Sequence, residues 1–499
     1  MAKTRWTLVA VCLATFMLLL DITIVQVALP TIGREFHQQL GGLQWILDCY
    51  VLPLAALIVT FGTVADRIGR RRVFLAGLVT FTAASVACGL ATSALALDVA
   101  RAVQGVGGAG VFATTLALIG QEFPGAARAR AVVVWGSTVG AAVATGPLVG
   151  GVLADTIGWR WIFLVNLPLG IVTVALTMRY VGDGRVPQPR RVDVAGAMTL
   201  TAGLALLTAG VLRGSAANWA TPGPIVALVV GVVVLLVWTL LQRRPLAMVD
   251  RTLYRNRGFV GVTVATLCLG AGMFAMLLYL TVDLQGALGA SPLAGGAELL
   301  PFAVPVFVVP LAARRFGVAM VSGRTLGLGL SAVTSGLALM ALGGATTSWT
   351  RLLPGLLLAG VGVGLANPSI AATALAVVEP ARAGLASGVS NACRIAGITL
   401  GVAGLGAVQR HVLVSAVGAA PHRPGLVDLV ASGQLRAATQ LSNHDVVYAA
   451  YTHAFHVTLL AGVAVLTVGA LAAFSLIPRR GVVTDRARST PAVPVAVPS

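Results

Sequence analysis

Charge is what this chain lacks. Only 10% of its 499 residues are Asp, Glu, Lys or Arg, while 57% are hydrophobic. A soluble domain carries roughly a quarter of its residues as charged ones, so a water-exposed surface of this size is excluded. Acidic side chains are the scarcest class, 16 against 34 basic ones. No GxxxxGK[ST] loop occurs, so direct coupling to ATP through that motif is excluded. No nucleophile–base pattern stands out, and the chain reads as a non-enzyme. The five cysteines, Cys12, Cys49, Cys88, Cys268 and Cys393, show neither pairing nor metal spacing. All fall in apolar runs and read as small buried hydrophobes.

What the chain has instead is apolar runs of eighteen or more residues along its whole length, with a mean hydropathy of +0.92. Each is a candidate membrane span. Fourteen are expected, at 6–29, 43–64, 73–92, 95–118, 131–154, 160–180, 193–212, 222–241, 258–281, 292–312, 325–343, 351–377, 383–408 and 454–477. The first is too long for a signal-peptide core and runs on into further spans, so it reads as a retained helix. An even count puts both termini on one side. Of the 34 basic residues, 25 fall on that side, seven on the other, and Arg101 and Arg394 inside spans. That bias puts both termini in the cytoplasm of a cell-membrane protein. The net charge of +18 therefore reads as membrane orientation rather than as nucleic-acid binding.

The longest loop, 410–452, is then outside, and "PGLVDLVASGQLRAATQL" within it is expected to form an amphipathic helix capping that face. His411, His422, His444, His453 and His456, in and just after it, read as solvated rather than as a metal site. The Pro-rich tail, 479–499, has no periodicity and is expected to be disordered.

A faint internal repeat divides the rest. "ADRIGRRRVF" after span 2 pairs with "ARRFGVAMV" after span 10, placing Arg67 and Gly69, and Arg315 and Gly317, in tight turns. "QGVGGAG" in span 4 pairs with "AGVGVGL" in span 12. The expected organisation is a six-helix bundle over 1–185, two inserted helices over 186–250 and a second six-helix bundle over 251–478. Two related bundles around a midplane cavity are a common secondary-transporter plan.

Charges inside spans carry the chemistry. At 1.5 Å per residue, Asp21 lies about 12 Å below the outer end of span 1, Asp48 about 7–8 Å below that of span 2, and Arg101 about 9 Å below that of span 4. Unpaired, each would cost at least ~2.5–3.5 kcal/mol at the bilayer centre. Around a shared cavity they cost less. A carboxylate whose proton affinity is pulled one way by burial and the other by an arginine is a minimal proton-coupling device; a structural ion pair locking helices is the alternative.

Other residues extend the site. Span 4 lines up Arg101, Gln104, Gly105, Gly108, Phe112 and Thr115 on one face, small or polar and suited to a cavity. Glu298 in span 10 and Arg394 in span 13 are further candidates for its lining. In span 5, Gly136 and Gly140, then Gly146 and Gly150, recur four apart, the spacing of close helix packing. Pro147 among them removes a backbone donor, so the segment reads as a hinge or a tight seal. In "GTVADRIGRRR", Gly62 and Gly69 permit tight turns and Asp66 can pair with basic neighbours or a helix N-terminus.

Six segments, in order, resemble the major facilitator superfamily, in its fourteen-helix drug:proton antiporter branch. "LDITIVQVALP" looks like that branch's first-helix motif, and "GTVADRIGRRR" like the signature loop between helices 2 and 3. "LDVARAVQGVGGAG" resembles the helix-4 motif, "GAAVATGPLVGG" the helix-5 antiporter motif, and "GWRWIFLVNLPLG" and "ASGVSNACRIAGITLG" add to the likeness. The resemblance covers the chain to about residue 477. It implies an all-α, two-bundle fold, proton coupling at Asp21 and Arg101, conformational gating at Gly62, Asp66, Arg67, Gly69 and Arg70, and an antiporter helix shaped by Gly140, Gly146, Pro147, Gly150 and Gly151. Three positions depart from the pattern: Gln26 where Asn is usual, Val64 where Leu is common, and Ala127 where an acidic residue often precedes the Arg. Gln26 puts substrate contacts there in question, and Ala127 removes one side of a cytoplasmic ion pair.

The expected function is proton-coupled export of amphipathic drugs or antibiotics by alternating access, with Asp21 binding the proton or a cationic substrate. The bundles would rock about spans 5 and 11. Gln26, Asp48, Gln104, Glu298 and Arg394 are the expected cavity residues. No cofactor is expected beyond the proton gradient, no nucleic-acid partner and no metal, and the protein is expected to act as a monomer in the bilayer. Transport of one specific metabolite, outward or inward, is the alternative within this class; a membrane receptor or enzyme is the alternative outside it.

Overall fold

A computed structural model describes residues 2–36, 40–183, 194–216, 221–241, 255–343, 348–378, 383–417, 425–431 and 433–478. The tail expected to be disordered, and His422, lie outside the described residues. Every described element is helical. The first group is α1 (Ala2–Glu35), α2 (Leu40–Ile68), α3 (Arg70–Gly89), α4 (Ala94–Glu122), α5 (Gly125–Thr156) and α6 (Trp161–Leu164 continued by Asn166–Tyr180). Then come α7 (Val194–Ala216) and α8 (Pro222–Leu241). The last group is α9 (Arg257–Ala287), α10 (Pro292–Glu298 continued by Leu300–Arg315), α11 (Gly323–Leu342), α12 (Leu353–Ala376), α13 (Ala383–Val417) and α14 (His444–Leu476).

Each expected span falls on one of these helices. Among the described residues, ten helices are long and apolar enough to cross a membrane, or eleven counting α2, which bends by 52° between Ile58 and Thr60. Polar caps set several starts: the Ser93, Asn256 and Ser291 side chains accept from backbone N–H groups of the first turn of α4, α9 and α10. One π-turn, Gly270–Phe274, interrupts α9, and a second, Asp283–Ala287, ends it.

The repeat seen in the sequence is a repeat of contacts. A Cβ on Gly105 would collide with the Tyr50 carbonyl of α2, and one on Gly360 with the Phe302 carbonyl of α10. Two residues on, a Cβ on Gly107 would sit 2.5 Å from the Phe81 nitrogen of α3, and one on Gly362 2.5 Å from the Gly329 oxygen of α11. Glycine at these positions lets α4 touch α2 and α3 backbone to backbone, as α12 touches α10 and α11. The paired turns agree: Gly69 has φ 110° and Gly317 φ 67°, values that L side chains rarely adopt.

Between the two groups runs a seam. On it α5 packs against α10 and α12, and α13 packs against α2 and α4, while α7 lies on α2 and α13. The expectation that spans 5 and 11 form the rocking pair is corrected here: α11 packs on α12 and α14, inside its own group. The glycines of α5 explain its partners. A Cβ on Gly140 would lie 3.0 Å from that of Val306 in α10, and one on Gly136 3.2 Å from that of Pro368 in α12. On the other face of α5, Gly146 and Gly150 meet Thr23 and Ile24 of α1.

The expected single capping helix in the outer loop is two short ones, Leu426–Ala431 and Leu435–Thr439. Gly433, at φ 76°, turns the chain between them. Leu426, Val430, Leu435 and Ala438 enter the core of the second group.

Candidate functional site

The apolar run of α1 carries Asp21 into the first group, where nothing of it reaches solvent: it is 0% exposed, as are Arg101 and Gln104 of α4. Helical spacing puts Arg101 and Gln104 one turn apart on one face of α4, and both turn toward α1. Arg101 Nη1 donates to Asp21 Oδ2 and, at 2.8 Å, to Gln104 Oε1. Gln104 Nε2 donates to Asp21 Oδ1 at 2.9 Å. Both carboxylate oxygens are therefore satisfied, one by a charge, the other by amides.

The rest of the shell comes from α2, α3 and α6. Asn166 Nδ2 donates to Asp21 Oδ1 at 3.1 Å and to Ser85 Oγ at 3.0 Å. Ser85 Oγ also accepts from Gln104 Nε2 at 3.1 Å and donates to the Phe163 carbonyl at 2.9 Å. Arg101 Nε donates to the Ile46 carbonyl of α2 at 3.1 Å. The guanidinium lies 4.3 Å from the Tyr50 ring centroid and 5.7 Å from that of Phe163, near enough for cation–π attraction in a dry setting. Arg101 Nη2, Tyr50 Oη and Asn166 Oδ1 have no partner among the described residues. Asn166, Ser85 and Tyr50 were not singled out from the sequence; a polar Asn166 inside "WIFLVNLPLGI" is the one signal that pointed to them.

The expectation of an open, polar stripe on α4 is corrected. Gly105 and Gly108 close against Tyr50, Leu54 and Leu18, so this face is packed, and Gln104 belongs to the Asp21 cluster rather than to a cavity wall. Gln26 and Asp48 lie on helices α1 and α2, but their side chains lie outside the described residues, as does that of Pro147.

The loop after α2 ties the same group together at its other end. Arg70 is 5% exposed and donates to Asp66 Oδ1 from Nε at 3.0 Å and from Nη2 at 2.9 Å. Its Nη1 reaches the Ala117 carbonyl of α4 at 3.3 Å. Arg71 continues to Asp183 Oδ2 and to the Met178 carbonyl at the end of α6. Arg67 is exposed and Gly62 buried within α2. Beside Ala127, Arg128 donates to the Phe123 and Gly120 carbonyls at 3.2 and 2.9 Å, closing the end of α4 with no acidic partner among the described residues. Outside the spans, Glu35 accepts from Arg160 at 2.7 and 3.1 Å and from Trp159 Nε1 at 2.6 Å. Those hydrogen bonds, from Arg160 first, hold its carboxyl below the ordinary 4.5.

The second group carries the other candidates apart from one another. Arg394 of α13 is 4% exposed and faces Trp135 of α5. Glu298 ends the first segment of α10 with Oε2 unpartnered, and among the described residues no ion pair joins it to Arg394. A cavity of about 220 Å³ between α9, α11 and α14 is lined by Asp283, Met340, Tyr448, Thr452 and His456. Asp283 is 6% exposed and was not singled out from the sequence; it sits at the outer edge of its apolar run. Among the described residues no cluster of His, Cys, Asp or Glu could hold a metal ion.

Comparison with known proteins places this arrangement. The chain is 39% identical over 407 residues to the multidrug resistance protein Stp of Mycobacterium tuberculosis, covering 81% of this chain and 75% of that one. It is 34% identical over 426 residues to a probable actinorhodin transporter of Streptomyces coelicolor, covering 81% and 72%. Its fold is similar to the proton:xylose symporter XylE, with a TM-score of 0.57 at 13% identity over 92% of this chain and 95% of that one. The sequence profile of the Major Facilitator Superfamily matches residues 11–402, from α1 through the Asp21 cluster and into α13 of the second helix group, and the chain belongs to that superfamily of multi-pass membrane transporters.

Proposed function

We propose that this transporter exports amphipathic drugs or antibiotics across the cell membrane in exchange for protons, by alternating access. The observation that carries the reading is the buried Asp21–Arg101 pair, 0% exposed on both sides. A proton on Asp21 would remove the charge that compensates Arg101, and a buried uncompensated cation is unfavourable. The pair is therefore a device with two states, one ionised and closed, the other protonated and driven to rearrange. Helix α1 would pass that rearrangement to α5 through the Thr23–Gly146 contact, and α5 faces both α10 and α12 across the seam. The Asp66–Arg70 loop would hold α2, α3 and α4 as one body while they move. The two helix groups, 1–185 and 251–478, are the moving bundles, with 186–250 inserted and both termini in the cytoplasm. A monomer suffices, and the proton gradient replaces any cofactor.

The names of the relatives favour export of drugs and antibiotics, and the Asp21 cluster favours protons as the driving ion. The test is uptake of a chemically varied panel of amphipathic antibiotics and dyes into inverted vesicles with an imposed pH gradient. Uptake of several members, abolished by a protonophore and by Asp21→Asn, is expected. Uptake of a single metabolite only, or uptake insensitive to the protonophore, overturns the reading.

A further inference from the structure

The seam holds a second buried cation that has no counter-ion among the described residues. Among the described residues, Arg394 Nε and Nη1 have no hydrogen-bond partner, and no ion pair joins Arg394 to an acidic side chain. Arg101 has Asp21; among the described residues Arg394 has nothing comparable. A guanidinium cannot shed its proton in a protein, so it stays charged where it is buried, and such a charge calls for an anion.

Its surroundings are those of a binding site. The Trp135 ring centroid lies 5.9 Å from the Arg394 guanidinium carbon, and the indole is fixed by Nε1 donating to Thr15 Oγ1 of α1 at 2.9 Å. Asn391, one turn before Arg394, donates to the Phe112 carbonyl of α4 at 3.1 Å and leaves its buried Oδ1 unpartnered. Asn367 of α12 is 1% exposed with both amide atoms unpartnered. The residue after it, Pro368, rests on Gly136, the residue after Trp135. Adjacent positions of α5 thus meet Arg394 from α13 and the Asn367 turn from α12. Arg394, Asn391 and Asn367 each keep a buried polar atom unsatisfied among the described residues, and a few such groups beside an aromatic side chain are what orients a ligand in a mainly apolar site. Asp21 offers no equivalent for a cation, since both its oxygens are already occupied.

We infer that Arg394 is the counter-ion for an anionic amphipathic substrate, a carboxylate, sulfonate or phenolate on an apolar body, bound at the seam beside Trp135 with Asn391 and Asn367 as hydrogen-bonding groups. Its place in a transport cycle rests on the export reading; the binding itself does not.

The test uses the full-length protein in lipid nanodiscs and two probes of one shape: 2-naphthalenesulfonate and (2-naphthylmethyl)trimethylammonium. The wild type is expected to bind the sulfonate at least tenfold more tightly than the cation. Arg394→Met is expected to lower sulfonate affinity at least tenfold and leave the cation unchanged or better bound, while Arg394→Lys keeps part of the preference. The thermal midpoint of unliganded Arg394→Met is expected to match or exceed that of the wild type, which a merely structural arginine would not permit. Equal affinity of the wild type for both probes, or unchanged sulfonate binding by Arg394→Met, overturns the inference. Should Arg394→Met fail to fold, the wild-type preference and the Arg394→Lys variant decide it. Proton-driven uptake is scored separately: sulfonate binding without uptake sinks export and leaves this site standing, whereas proton-driven uptake without sulfonate binding does the reverse.

Discussion

Gly146 of α5 lies directly on Thr23 of α1, so that a Cβ on Gly146 would sit 2.5 Å from the threonine Cβ and closer still to its hydroxyl. Thr23 is two residues beyond Asp21, and this contact links the helix of the buried carboxylate to the seam helix. A side chain at 146 must push α5 off α1. Gly146→Ala is expected to cost about 1–3 kcal/mol by overpacking and to lower transport of every substrate alike. Thr23→Gly in the same chain removes the opposing group and is expected to recover part of both. Thermal midpoints and uptake rates of the three variants check this; unchanged stability in Gly146→Ala would mean the helices are not in contact as described.

The two turns of the internal repeat give a cleaner case, because space is not at issue there. A Cβ on Gly69 meets nothing nearer than 4.0 Å, and one on Gly317 nothing within 4 Å. The cost of alanine is then the backbone's alone, on the order of 1–3 kcal/mol for a residue held in such a region. Gly69→Ala and Gly317→Ala are expected to lower the thermal midpoint by similar amounts. Gly69→Ala is expected to slow transport more, because its turn orients Arg70 onto Asp66 and the Ala117 carbonyl.

How much of this was legible in the sequence follows from what each signal costs. Asp21 and Arg101 declared themselves because a charge in an apolar run is expensive and needs a reason. Ser85 and Asn166 did not, since small neutral polar groups are common in membrane helices. Only the fold, by setting α3 and α6 against α1, turns them into partners of the carboxylate. The paired glycine runs of spans 4 and 12 aligned correctly from sequence alone, Gly105 with Gly360. What they touch did not follow from spacing. The partner of α5 was misjudged for the same reason: Gly140 says that something comes close, not that it is Val306 of α10. Asp283 was missed because a carboxylate at the end of an apolar run reads as a boundary.

Glu35 offers a pH test outside the membrane. Its carboxyl is held below its ordinary value by hydrogen bonds from Arg160 and then from Trp159. A depressed folded-state value means the ionised form is the one the fold favours. The stability it contributes is complete above the ordinary carboxylate value of 4.5 and fades as pH falls through the lower, folded-state value. Both side chains of the pair are about two-fifths exposed, so screening keeps the contribution small. Thermal midpoints of wild type and Glu35→Gln are expected to differ slightly at neutral pH and to converge in strong acid. A gap that widens as pH falls would reverse the sign and remove the assignment.

The Asp21–Arg101 pair makes the sharpest prediction, because its two members do not act alone. Replacing Asp21 by Asn leaves a guanidinium in a fully buried cluster with no carboxylate, a loss expected to cost about 3–5 kcal/mol. Replacing Arg101 by Met leaves the carboxylate to the Gln104 and Asn166 amides alone and is expected to cost a similar amount. The double variant buries no charge and is expected to be more stable than either single one, which a double-mutant cycle reads directly as coupling. Structure and function then separate. All three variants are expected to lose proton-driven uptake, while the double variant regains most of the thermal midpoint. If the pair only locked helices together, the double variant would regain transport along with stability. If it couples protons, stability returns and the protonophore-sensitive flux does not.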